Sequence, residues 1–273
     1  MRFEPRAPRE GINVSREHPL REAGVLVAGL AGVLVLIGIA VTLGMDLAVG
    51  LIPPELESRA FGAFAAGESR VEDDTAKGVA AAQRVLDALA RHWPDAPYAF
   101  RLHLLAEDSP NAAALPGGRV LVTRGLLEAV ESENELAFVL GHELGHFHGR
   151  HHLRRLGRQA VYGLALAALL GRSGGARPLG SIAAELTSRG FDRGQEREAD
   201  AFGLRLVGAE YGHAAGSTAF FERLDPPGGP ALEGVVAYFS THPGGRERIA
   251  EIERLAAAEG LSTTGAPTEP APR

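Results

Sequence analysis

The sequence predicts a mostly α-helical fold with a small β-sheet (α+β) behind one N-terminal transmembrane helix. Three observations predict it. An uncharged stretch of 23 residues lies near the start, apolar residues recur at helical spacing through most of the remainder, and short β-type segments flank a Pro-Gly-Gly turn. At 273 residues, 45% hydrophobic and 23% charged, the chain has enough apolar material for one substantial core. It has no cysteine, which excludes disulfides, thiolate zinc sites and cysteine nucleophiles, so any metal must be held by His, Asp or Glu. The net charge of -6 speaks against a nucleic-acid partner. The sole lysine, Lys77, is in no phosphate-binding loop, which speaks against a nucleotide.

Residues 1–22 carry Arg2, Arg6, Arg9, Arg16 and Arg21, and 23–45 then run without a charge until Asp46. At about 1.5 Å per residue this stretch can cross a hydrocarbon layer of roughly 30 Å. It is too long for a signal-peptide core and no small-residue cleavage site follows, so it reads as a retained anchor in the lipid bilayer. Only Arg59 is basic in the next twenty residues. The positive-inside rule therefore predicts a single-pass protein with residues 1–22 in the cytoplasm and everything after Asp46 on the far side, the periplasm if the source is bacterial.

Residues 46–74, with Pro53, Pro54 and a Gly/Ser/Asp-rich stretch, read as a linker to one domain over 75–260. A helix is expected over 75–93, closed by Pro94, and strands over 98–107, 112–115 and 119–123, the last two joined at Pro116-Gly117-Gly118. Ser132 and Glu135 form a capping-box pattern opening a helix to about residue 156. The apolar run 160–170 is too short to span a membrane, and 172–180 is a Gly-rich loop. Further helices are expected over 192–207, 214–224 and 245–259, with a disordered tail over 261–273.

His142-Glu143-Leu144-Gly145-His146 is the pattern H-E-x-x-H. Histidines at i and i+4 share one helix face, so both imidazoles can bind one Zn²⁺, and Glu143 between them can act as base toward the metal-bound water. Two sources of a third ligand are open. His152 completes H-E-x-x-H-x-x-G-x-x-H, the metzincin pattern, but that architecture needs a methionine downstream and the only methionines are Met1 and Met45. Glu196 and Asp200, at i and i+4 on another helix, can instead supply one ligand and one carboxylate behind a ligand imidazole, whereas Glu198 points elsewhere. On that reading His148, His151 and His152 are solvated or rim residues, and His92, His103 and His213 are surface or satisfied core residues.

Over about 71–258 the chain resembles the gluzincin metallopeptidases of HtpX and the CAAX prenyl endopeptidase, in particular their single-span or periplasmic relatives. The resemblance rests on Asn111 through Gly125, on 135–150 around the motif, on Glu196 through Gly203, and on Thr241-His242-Pro243 followed by Arg248-Ile249. It implies a zincin-like domain with one Zn²⁺ per chain, Glu196 as third ligand, Asp200 behind a ligand imidazole, His242 as an oxyanion stabiliser or gate, and Arg248 as an organiser of the cleft. It also makes Arg119, Val120, Leu121, Val122 and Thr123 the edge strand that pairs with an extended polypeptide substrate. Multi-span relatives have more membrane helices than this chain shows. The expected function is a membrane-anchored zinc endopeptidase for exposed or misfolded proteins. The alternatives are a catalytically silent, chaperone-like binder that uses the edge strand, and a metzincin-type peptidase using His152.

Overall fold

The structure, a computed structural model, describes residues 19–65, 77–169, 191–224, 242, 245–266 and 268. Residues 1–18 of the expected cytoplasmic segment, 66–74 of the linker, the 172–180 loop and 269–273 of the tail lie outside the described residues. The chain forms two units, Met1–Gly44 and Met45–Arg273. The first contributes most of helix α1 (Pro19–Leu51), which is longer at both ends than the uncharged stretch. Its most apolar window has a mean hydropathy of 2.7 and is unburied, with Leu26, Leu34, Leu36 and Ile37 exposed. A helix so apolar and so long can cross a membrane, and it lacks the covered face of a soluble core helix.

The second unit is mostly helical with one three-stranded sheet. Helix α3 (Lys77–Arg91) buries Val79, Leu86 and Leu89 against that sheet. Strands β1 (Arg101–Leu105), β2 (Ala112–Leu115) and β3 (Arg119–Thr123) are ordered β1-β3-β2. β3 is thus the central strand, parallel to β1 and antiparallel to β2. This corrects the expectation that Arg119, Val120, Leu121, Val122 and Thr123 form a free edge. The Gly117-Gly118 turn, at φ 85° and 79°, folds β2 back onto one side of β3, and β1 occupies the other. Thr123 ends β3 and caps α4 (Arg124–Ala129), its side chain accepting from Leu126 N.

Helix α5 (Glu133–His148) starts at Ser132, whose Oγ accepts from Glu135 N at 3.3 Å. The reciprocal half of the expected box is not made: Glu135 accepts instead from Glu131 N at 3.0 Å and is paired with Arg223. Nor does the helix run to residue 156. Gly149 and Arg150, the latter at φ 51°, break it, and α6 (His151–Leu169) follows, taking in the apolar run up to Leu169. Helix α7 (Arg193–Tyr211) has a full capping box from Asp192 and Gln195 and ends at Gly212 in the left-handed region. Residues 214–218 form a turn before α8 (Ala219–Leu224), and α9 (Gly245–Ala258) closes the domain. The tail is held at two points, Glu133 N donating to Thr268 O at 3.0 Å and Ala214 N to Ser262 O at 2.7 Å.

Helices α5 and α7 cross antiparallel with almost no side chains between them. A Cβ on Gly145 would lie 2.6 Å from Ala199 Cα and O, and one on Gly203 would lie 2.9 Å from His142 N. The glycines let two backbones touch, which brings short polar side chains on one helix within reach of the other.

Part of the expected linker is helix α2 (Pro54–Ala65), opened by a proline, which a first helical turn tolerates. It is not a tether, because Glu57 is 2% exposed and holds a network. Its carboxylate accepts from Tyr98 Oη at 2.7 Å and Gly117 N at 2.9 Å, with His152 Nε2 at 2.9 Å and Arg150 Nη2 at 3.4 Å. Arg150 also donates to Val49 O at 2.7 Å and Ile52 O at 2.6 Å, capping the last turn of α1. Burial pushes the Glu57 carboxyl up, but His152, the Gly117 N–H and the Tyr98 hydroxyl outweigh it and hold it lowered to about 2.

Two outcomes follow from these contacts. Alanine at Gly145 adds about 1 kcal/mol of helix propensity, but overpacking against a backbone costs about 1–3 kcal/mol or more. Gly145→Ala should therefore lower Tm in calorimetry. Glu57 titrates at about 2 when folded against 4.5 when free. Its contribution is complete above pH 4.5 and is lost as pH falls from there towards 2. Glu57→Gln should destabilise the protein at pH 7 and flatten that part of the acid-unfolding curve.

Candidate metal centre

His142 and His146 lie one turn apart on α5, and their Nε2 atoms converge to 3.0 Å. Glu196, in the first turn of α7, faces them, with Oε1 at 3.4 Å from His146 Nε2 and Oε2 at 3.5 Å from His142 Nε2. His242 Nδ1 lies 3.1 Å from His142 Nε2 and 3.3 Å from Glu196 Oε1. One donor atom from each of these four residues lies within 4.8 Å of the other three, and all four residues are buried. Asp200, a turn further along α7, sits behind the cluster with Oδ1 at 2.8 Å from His142 Nδ1. A carboxylate only accepts, so it draws the His142 proton to Nδ1 and leaves a lone pair on Nε2.

Arg248 comes from α9 and clamps both carboxylates. Its Nη2 and Nε reach Asp200 at 2.7 and 3.1 Å, and its Nη1 lies 3.2 Å from Glu196 Oε2. Burial opposes ionisation of Glu196, yet the charges of His242, His142 and Arg248 hold its carboxyl well below the ordinary value. Asp200 is likewise lowered, burial being outweighed by Arg248 and His142. His146 is held well below its ordinary value by burial, which Glu196 only partly offsets, so it stays neutral and keeps a lone pair. His242 is raised, because Glu196 and Glu143 together outweigh its burial.

Whether a cation suits this cluster can be judged from its uncompensated atoms. Both Glu143 carboxylate oxygens are buried and accept no hydrogen bond from the described residues, although His242 Nε2 stands 3.5 Å from Oε1. A buried carboxylate beside converging imidazole lone pairs costs several kcal/mol unless a positive charge or water meets it. Two imidazoles and one carboxylate are the donor set of a His₂Glu zinc site. The residues present therefore fit zinc.

The structure thus brings together His142, Glu143, His146, Glu196, Asp200, His242 and Arg248. It does not bring Arg119, Val120, Leu121, Val122 and Thr123 to an open edge; the strand beside the cluster is β2, whose Ala112 O lies 3.4 Å from His242 Nε2. His152 is no ligand: the helix break turns its Nε2 onto Glu57, away from the cluster, which removes the metzincin arrangement. His151 and His152 are fully buried and not on the rim, because α6 folds back over the end of α5; His148 is exposed and stacks on Phe202. His92 pairs with Glu210 at 2.7 Å, and His213 Nδ1 accepts from Ala215 N.

Two contributors escaped the sequence reading. Phe191 stacks on the His146 ring at 3.8 Å between centroids, and Arg155 Cζ lies 4.8 Å from the Phe191 ring centre. Its position just before the Asp192 cap, where an apolar residue often packs back onto its helix, was the available signal. Glu198 turns to His151 Nε2, at 3.4 Å.

Comparison with known proteins bears on this geometry. Residues 79–256 match the model of Peptidase family M48. The mitochondrial metalloendopeptidase OMA1 of Schizosaccharomyces pombe is 31% identical over 56% of this chain and 46% of its own length. Metalloprotease YcaL of Escherichia coli is 29% identical over 64% of this chain and 69% of its own. A putative β-barrel assembly-enhancing protease of Vibrio cholerae is 35% identical over 46% of this chain and 28% of its own. The chain spans less than half the length of the OMA1 relatives it matches. With the family model covering the sheet, both metal-facing helices and most of α9, the chain belongs to Peptidase family M48.

Proposed function

We propose that this protein is a membrane-anchored zinc endopeptidase, with His142, His146 and Glu196 holding one zinc ion and Glu143 serving as general base. The observation that carries the reading is the convergence of those donor atoms beside a buried carboxylate that has no hydrogen-bond partner among the described residues. Zinc bound there supplies Lewis acidity toward a peptide carbonyl and acidifies water. Glu143 takes a proton from the attacking water on one carboxylate oxygen and returns it to the leaving amine. Asp200 and Arg248 hold the His142 ring and the Glu196 carboxylate in place.

β2 supports a polypeptide substrate. Thr123 N donates to Asn111 O, so alternation along the antiparallel ladder turns the main-chain groups of Ala112 and Ala114 away from β3. A chain laid along that edge is gripped through its backbone, which suits segments of varied sequence in exposed or misfolded proteins. His242 stands where such a chain would approach, between the metal-facing atoms, Glu143 and Ala112 O. That placement favours a gate over an oxyanion stabiliser. The N-terminal arginines support an extracytoplasmic domain behind a single span.

The test is metal analysis with casein or peptide digestion on the full chain in detergent. Glu143→Gln should retain zinc and lose about 10²–10⁴-fold in rate, since zinc binding and proton transfer rest on different residues. Loss of zinc in Glu143→Gln, or unchanged cleavage, would count against the assignment. His242→Ala should keep zinc through the other three donors and cleave short peptides faster; an oxyanion role requires instead a fall of about 10²–10³.

A further inference from the structure

We propose that His151 is a positioning residue for the metal: its Nδ1 accepts the Nδ1 proton of His146, which commits His146 to offer a bare Nε2 to the ion, and Glu198 holds His151 in the accepting tautomer. The inference rests on the zinc reading above and concerns what keeps one ligand competent.

Both His142 and His146 turn Nε2 toward the shared centre, so each must carry its proton on Nδ1. For His142 the acceptor is Asp200. Among the described residues no carboxylate stands at His146 Nδ1. What stands there, at 3.0 Å, is Nδ1 of His151, fully buried. Two ring nitrogens at that distance share one proton, and the location of that proton decides which atom His146 presents to the metal. On His151 Nδ1, it would leave His146 with an Nε2–H aimed at the cluster, unable to ligate. The other face of His151 settles the choice. Its Nε2 lies 3.4 Å from Glu198 Oε2, which can only accept, so the His151 proton belongs on Nε2 and its Nδ1 is left bare.

The backbone is shaped for this contact. Residues five apart do not share a helix face, so His151 could not reach His146 along an unbroken helix. Arg150, at φ 51°, turns the chain, and Gly149 leaves room for the ring: a Cβ there would lie 2.1 Å from His151 Nε2.

The experiment measures zinc affinity of the full chain in detergent by competition with a chromophoric chelator. His151→Phe keeps the ring volume and removes the acceptor, and should weaken zinc binding about 10–100-fold. His151→Asn places an amide oxygen where Nδ1 stood and should restore affinity to within a few-fold of wild type. A Phe variant that binds like wild type, or an Asn variant as weak as the Phe variant, would overturn the proposal. ¹⁵N NMR of the histidine-labelled, zinc-loaded wild type tests it without any variant: a bare Nδ1 and protonated Nε2 on His151 support it, and a protonated Nδ1 refutes it. His146→Ala separates the two readings. If wild type takes up no zinc, or His146→Ala binds as tightly, the metal assignment fails and this inference with it; if both behave as expected, only the role of His151 is at stake.

Discussion

The centre depends on the contact of two backbones. His146 and Glu196 are fifty residues apart in the chain, and they meet because Gly141 and Gly145 on α5 lie against Gly203 and Ala199 on α7. Helices separated by ordinary side chains run about 8–10 Å apart, and the glycines here let α5 and α7 approach until their backbones touch. With the gap closed, side-chain length assigns the positions. The longer Glu196 reaches the Nε2 atoms that face the cluster, while the shorter Asp200, one turn on, reaches His142 Nδ1 behind it. The antiparallel crossing sets this order, since moving forward along α5 moves backward along α7.

The charges inside that crossing explain why the cluster calls for a cation. Glu143, Glu196 and Asp200 are all buried, and Arg248 is the guanidinium that meets two of them. One arginine cannot neutralise three buried carboxylates, and each uncompensated charge costs several kcal/mol. His242, raised by Glu196 and Glu143, moves part of the way toward balance. A divalent ion held between His142, His146 and Glu196, as proposed above, would complete it beside Glu143, the carboxylate with least compensation. The strain of leaving that carboxylate unpaired is the reason to regard it as a working group and not a packing residue.

Much of this was legible in the sequence. The i, i+4 spacings of His142 with His146 and of Glu196 with Asp200 named the faces that meet, and residue type alone told donors from acceptors. The hairpin, the capped start of α5 and the apolar N-terminal helix were legible for the same local reasons. What stayed hidden depends on distant partners. The order β1-β3-β2 follows from β1 joining β3 in parallel across an intervening strand, which no local pattern encodes. Glu57 looked like one acid in a polar linker, and only the approach of Tyr98, Gly117 and His152 shows it to be buried. The break at Arg150 follows Gly149, a poor helix former, but a single glycine does not by itself say that a helix stops there, and the expected helix was carried on to residue 156.

That break explains why four consecutive residues serve four different ends. Gly149 leaves space, Arg150 caps the last turn of α1, His151 meets the metal-facing helix, and His152 binds Glu57 of α2. On a continuous helix these side chains would fan out at about 100° intervals, and most would face solvent or a single neighbour. The left-handed residue reverses that fan inward, so the end of α5 is gripped from the α1 end, from α2 and from its own interior. A histidine ligand in the last turn of a helix would ordinarily sit where helices fray. Here the last turn is held by buried hydrogen bonds on several sides, which opposes fraying at His146, two residues from the helix end.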